Sequence, residues 1–120
     1  MTKILAVDDS ASMRQMVSFT LSGAGYDVTD ACDGQEALNA AKAQQFDVVV
    51  SDVNMPVMDG ITLIRELRKL PQYKRTPLLL LTTESSGTKK MEGKQAGATG
   101  WIVKPFNPEQ LLATIKKVMG

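Results

Sequence analysis

The stretch FDVVVSDVNMPVMDG, residues 46–60, decides the architecture. Val48-Val49-Val50 is an apolar β-branched block, the pattern of a strand buried on both faces. It runs into a carboxylate, Asp52, then Met55-Pro56 and the turn pair Asp59-Gly60. Open α/β sheets present chemistry at the carboxyl ends of buried parallel strands. An acid in that place is either a functional group or the cap of the next segment. Its partners elsewhere in the chain distinguish the two.

Working outward, Lys3 to Asp8 (KILAVD) reads as a short buried strand ending in the pair Asp8-Asp9. Ser10 and Ser12 can cap the helix that follows, in which Met13, Met16, Val17 and Leu21 recur at helical spacing and Gly23 and Gly25 mark the stop. Asp27 to Ala31 is a weaker strand centred on Val28, and Asp33 to Glu36 resembles a capping box opening a helix with Ala37, Leu38 and Ala41 inward. Beyond the central strand, Ile61, Leu63, Ile64 and Leu67 form the stripe of a third helix that stops before Pro71. Asp59 and Glu84 read as turn and rim residues, and Arg65, Arg68 and Lys69 as a solvated helix face.

Leu78 to Leu81 is a fourth strand ending at Thr82-Thr83-Glu84, and Trp101-Ile102-Val103 a fifth ending at Lys104-Pro105. Between them, Thr88–Ala96 is a poor helix interrupted by Gly93. Asn107, Pro108 and Gln110 supply N-cap, N1 and N3 of a last helix with Leu111, Leu112, Ile115 and Val118 inward. Five strand–helix alternations predict one parallel sheet covered on both faces by right-handed crossovers.

The 120 residues are 43% hydrophobic, which suits a single domain with one core. No apolar run approaches the ~20 residues that span a bilayer, and acids come too early for a secretory signal. The expectation is a cytoplasmic protein. The lone Cys32 has no disulfide partner and reads as a small buried hydrophobe. The chain contains no histidine, which removes Ser-His and Cys-His nucleophile pairs and a phosphohistidine of its own. Residues 1–68 carry five basic and ten acidic side chains (−5), and residues 69–120 nine and three (+6). That asymmetry suggests an acidic functional pole and a basic face.

In a parallel sheet all carboxyl ends share one edge, so Asp8, Asp9, Asp52, Thr82 and Lys104 must converge. Three clustered carboxylates repel one another unless a cation sits among them. Oxygen-only ligands favour a hard ion, Mg²⁺. With Lys104 and the Thr82 hydroxyl, such a site suits a phosphoryl group, and one carboxylate can serve as nucleophile.

The acid pair, Asp52, Thr82 and Lys104-Pro105, together with the run DVNMPVMDG (52–60), resemble the receiver domain of two-component response regulators, end to end. The likeness is to single-domain regulators of the CheY type, with residues 1–120 as one receiver domain and no output domain. The resemblance implies a doubly wound (βα)5 flavodoxin-like fold with a five-stranded parallel sheet of order 2-1-3-4-5. It implies that Asp52 accepts a phosphoryl group from a phosphohistidine of a sensor histidine kinase. Asp9, Asp52 and the Asn54 backbone carbonyl would bind Mg²⁺, with Asp8 acting through water. Lys104 would contact phosphoryl oxygens, Thr82 and Trp101 would switch, and Lys104-Pro105 would be cis. Asn54 and Glu84 stand at positions that govern dephosphorylation in the family. The implied partners are a chemotaxis-type kinase, a downstream protein target such as the flagellar motor switch, and a phosphatase, with no membrane or nucleic acid.

Beyond its own phosphorylation and dephosphorylation, no enzymatic activity is expected. The alternatives are a Mg²⁺-dependent aspartyl-phosphate phosphatase or phosphotransferase, or a phosphorelay intermediate. A flavin carrier of the same fold is disfavoured by the acids after the first strand, which would repel a nucleotide phosphate. A nucleic-acid binder lacks a recognition motif. The fourth helix, fifth strand and fifth helix are the expected output face, where Lys89, Lys90, Lys94, Lys116 and Lys117 frame Trp101.

Overall fold

The computed structural model describes residues 2–83 and 87–119, without the side chains of 87–89. The strands are β1 (Lys3–Val7), β2 (Asp27–Ala31), β3 (Val48–Asp52), β4 (Leu78–Thr82) and β5 (Gly100–Val103). The helices are α1 (Ala11–Gly23), α2 (Gly34–Ala43), α3 (Gly60–Arg68), α4 (Gly87–Ala96) and α5 (Pro108–Met119), with a 3-10 turn at Pro71–Tyr73. All pairings are parallel and the order is β2-β1-β3-β4-β5, as expected.

Every residue of β3 and β4 is buried, and side-chain alternation divides them between two cores. Ile4, Ala6, Val48, Val50, Leu79 and Leu81 face α1 and α5, meeting Val17, Leu21, Leu111 and Ile115. Leu5, Val7, Val49, Leu78 and Leu80 face the other side, against Ala37, Leu38, Leu63, Ile64 and Leu67 of α2 and α3. This two-sided burial is why both strands open in the sequence with unbroken apolar runs, Val48–Val50 and Leu78–Leu81.

The helix starts follow the sequence closely. Ser10 caps α1 and Asp33 caps α2 by accepting from the Met13 and Glu36 amides, while Asp59 caps α3 by accepting from the Thr62 amide at 2.7 Å. At α5 the box is reciprocal: the Asn107 amide donates to Gln110 Oε1 (2.9 Å) and the Gln110 amide to Asn107 Oδ1 (2.8 Å).

Three expectations are corrected. Gly93 does not break α4, which runs through it. A Cβ there would stand 2.7 Å from Trp101 Cζ3 and 2.8 Å from Leu80 Cδ1, so the glycine lets the helix lie close on β4 and β5. Arg68 is no solvated residue. Its guanidinium is half-buried, donating to the carbonyls of Tyr73 (2.6 Å), Thr76 (2.8 Å) and Gly97 (2.8 Å) and to Thr99 Oγ1 (3.2 Å). Its neighbours Arg65 and Lys69 are exposed. Cys32 is exposed rather than buried. It directly follows β2, and its thiol lies 3.2 Å from Glu36 Oε2, which pushes its pKa up.

Candidate functional site

Register builds the site. Val7 pairs with Ser51 across β1 and β3, so one step further along both chains Asp8 comes beside Asp52. On the other flank Thr82 pairs with Val103, and Lys104 follows at the end of β5. Lys104 must therefore reach across β4 to β3, two strand spacings or about 9.6 Å. It does so: Nζ lies 3.1 Å from Asp52 Oδ1 and 3.3 Å from Asp8 Oδ2, with 13% of the lysine side chain exposed. The Lys104-Pro105 bond is cis.

Asp8, Asp9 and Asp52 each bring a carboxylate oxygen within 4.8 Å of the others. Their surroundings differ. Asp8 is buried and already engaged, because its Oδ1 accepts from the Ser10 amide (2.9 Å) while its carbonyl accepts from Arg14 Nη1 (2.9 Å). Asp9 is exposed, and Asp52 is 7% exposed. Burial raises the Asp52 pKa above the ordinary carboxylate range. The hydrogen bond and charge of Lys104 pull it down, and the Asp8 charge adds to the rise.

The chain leaves Asp52 through a tightly fixed loop. The Gly60 amide donates back to the Val53 carbonyl at 2.9 Å. A Cβ on Gly60 would collide with the Asp52 carbonyl oxygen, so only glycine allows α3 to begin this close to β3. Asn54 sits exposed in this loop. Thr82 is fully buried at the end of β4, and its carbonyl accepts from the Lys104 amide at 2.7 Å. Glu84 lies outside the described residues. Trp101 is half-buried between cavities of about 240 and 390 Å³, the first lined also by Lys90 and Lys94 and the second by Phe106 and Thr114. Its indole N–H is buried without a hydrogen-bond partner among the described residues.

The residues fit a hard divalent cation. An all-oxygen donor set with three acids and one lysine leaves a net charge of about −2 at neutral pH, which one such ion would balance. No helix among the described residues is long and apolar enough to cross a membrane.

Residues 4–116 match the family model of the response regulator receiver domain. The chemotaxis protein CheY1 of Helicobacter pylori (strain ATCC 700392 / 26695) is 38% identical over 120 residues, covering 98% of this chain and 97% of that protein. The structure of the chemotaxis response regulator CheY4 of Vibrio cholerae superposes with a TM-score of 0.96 at 61% identity, covering 98% of both chains. The receiver domain of the sensor histidine kinase PA1611 of Pseudomonas aeruginosa PAO1, solved with magnesium coordinated in its active-site cleft, superposes at 0.92 with 29% identity, covering 99% of this chain and 98% of that one. Other relatives are transcriptional regulators 38–42% identical, of which the chain spans about half the length, 45–48%. Receiver domains take phosphoryl groups from histidine kinases, bind Mg²⁺ at an acidic pocket and act on downstream targets. The chain belongs to the receiver-domain family of two-component response regulators, with a CheY-like fold.

Proposed function

We propose that residues 1–120 act as one phosphorylation-operated binding module, cytoplasmic and of the chemotaxis type, with Asp52 as phosphoacceptor. The observation that carries this is the placement of Lys104 Nζ between Asp52 and Asp8, with Asp9 alongside, at the carboxyl edge of the sheet. A carboxylate oxygen of Asp52 attacks the phosphorus of a phosphohistidine. The O–P bond forms, the N–P bond breaks, and the imidazole leaves with its electron pair.

Lys104 would stabilise the charge on the phosphoryl oxygens, and Thr82 would donate a hydrogen bond to one of them. Asp9, Asp52 and the Asn54 carbonyl would hold Mg²⁺, with Asp8 orienting a water beside it. When bound, the ion supplies charge neutralisation for the acids and the incoming phosphoryl group. Output would leave through the α4-β5-α5 face, where Lys90 and Lys94 flank Trp101 and suit an acidic protein target such as a motor switch component. The chemotaxis reading draws on the two CheY relatives.

The test is incubation with acetyl phosphate and Mg²⁺. One base-labile phosphoryl group per chain is expected on the wild type and none on Asp52→Asn. Equal labelling of the two would remove Asp52 from the role.

A further inference from the structure

Val57 combines two features that are unfavourable in an isolated chain. Its φ is +70°, a region that β-branched residues rarely enter. The Met58 amide donates to the Pro56 carbonyl at 2.7 Å, closing a three-residue γ-turn of the rarer, strained hand with Val57 at its apex. The isopropyl group is also 82% exposed, so packing within the fold offsets none of this strain. A glycine would adopt the same turn freely.

The turn is held from both sides. A Cβ on Gly34, at the start of α2, would collide with the Met58 carbonyl, and Gly60 abuts the Asp52 carbonyl. Such over-determined strain is found where a chain must present something. What Val57 presents is an apolar knob on the rim of the Asp52 site. Five residues of chain lead from Asp52 to it, so it stands within about 18 Å of the end of β3, and three lead from it to Gly60, which abuts Asp52. The other exposed large hydrophobics among the described residues (Phe19, Met91, Val103 and Met119) lie outside this loop.

Resting on the phosphoacceptor reading above, we infer that the Val57 side chain is a docking contact for the protein that delivers the phosphoryl group. Asp52 is recessed, so a donor carrying its phosphoryl group on a folded domain must bring that domain down onto the rim, where Val57 projects. A small donor such as acetyl phosphate reaches Asp52 without touching it. The occupant of this contact is therefore the phosphohistidine-bearing domain, which would bury the valine against an apolar depression of its own.

The test compares wild type, Val57→Ala and Val57→Gly with two donors: acetyl phosphate, and the autophosphorylated histidine kinase that labels the wild type fastest in a panel. Both variants should accept from acetyl phosphate at the wild-type rate. With sub-saturating kinase both should be slower by about tenfold, the loss expected when a partner no longer buries a valine side chain. Val57→Gly should unfold at a temperature no lower than the wild type, which excludes a folding defect as the cause. Unchanged transfer from the kinase in both variants overturns the inference and leaves the Asp52 assignment standing. A loss confined to Val57→Gly also overturns it, because loop stiffness and not the side chain would then be responsible. Failure of acetyl phosphate to label the wild type would instead strike the phosphoacceptor reading.

Discussion

Burial and Lys104 pull the Asp52 carboxyl in opposite directions, and burial prevails, leaving its pKa raised. The consequence for stability has a definite sign. A raised folded-state pKa means that the native chain holds the proton more tightly than the unfolded one, so stability is fully present below the unfolded value. It is lost as pH rises from about 3.9 through the raised folded value. Asp52→Asn lacks this titration, and its Lys104 keeps Asp8 as a partner at 3.3 Å. In EDTA the variant should therefore melt with the wild type near pH 4 and above it by a few degrees at pH 7. Coincident melting at both pH values would mean that Lys104 fully offsets the burial of the charge. A divalent cation bound among the three acids would relieve the same excess of negative charge.

At the scale of elements, Arg68 ties the C-terminal end of α3 to the turns that follow it and α4. Its donors reach the Tyr73 and Thr76 carbonyls on one side and Gly97 on the other, and its aliphatic stem lies under Gly97, whose φ is +111°. Arg68→Ala would leave carbonyls of three separate turns short of a donor and should cost about 3 kcal/mol in denaturant unfolding. Arg68→Lys should recover less than half of that, since an ammonium cannot span the same fork. A loss below about 0.5 kcal/mol would return Arg68 to the solvated face.

The same residue marks where sequence reading stops. Strands buried on both faces announce themselves as apolar runs, and the acids and lysine at their ends followed from topology. The capping boxes were legible because their chemistry is local. By contrast, an arginine near a helix C-terminus looks the same whether it meets water or distant carbonyls. Tyr73 illustrates this too: it is fully buried, its hydroxyl within 2.8 Å of the Ala41 and Gln44 carbonyls, yet it comes from a polar stretch. The turn at Val57 has no sequence signal at all, because valine is the wrong residue for it.

Across the whole molecule, the path from Asp52 to the proposed output face is short and made of backbone. The Val53 amide donates to the Leu81 carbonyl (3.0 Å) and the Lys104 amide to the Thr82 carbonyl (2.7 Å), so the ends of β3, β4 and β5 are joined in series. Trp101 lies three residues before Lys104, packed on Gly93 and Leu80. Its indole N–H is buried with no hydrogen-bond partner among the described residues, and an arrangement that satisfied it would be favoured by about 1–3 kcal/mol. A gap of that size is within reach of a ligand's differential interaction with two states. A phosphoryl group drawing Thr82 inward would bias the pair of states, and α4, with its glycine and little apolar periodicity, offers slight resistance. Trp101 is the only tryptophan, so its fluorescence reports on the face directly. Beryllofluoride with Mg²⁺ should shift its emission in the wild type. The shift should vanish in Asp52→Asn and fall by at least half in Thr82→Ala, while amide exchange changes across residues 87–104. An unaltered spectrum together with unaltered exchange would mean that the signal leaves through another face. A shift surviving intact in Thr82→Ala would mean that the strand ends carry it without the hydroxyl.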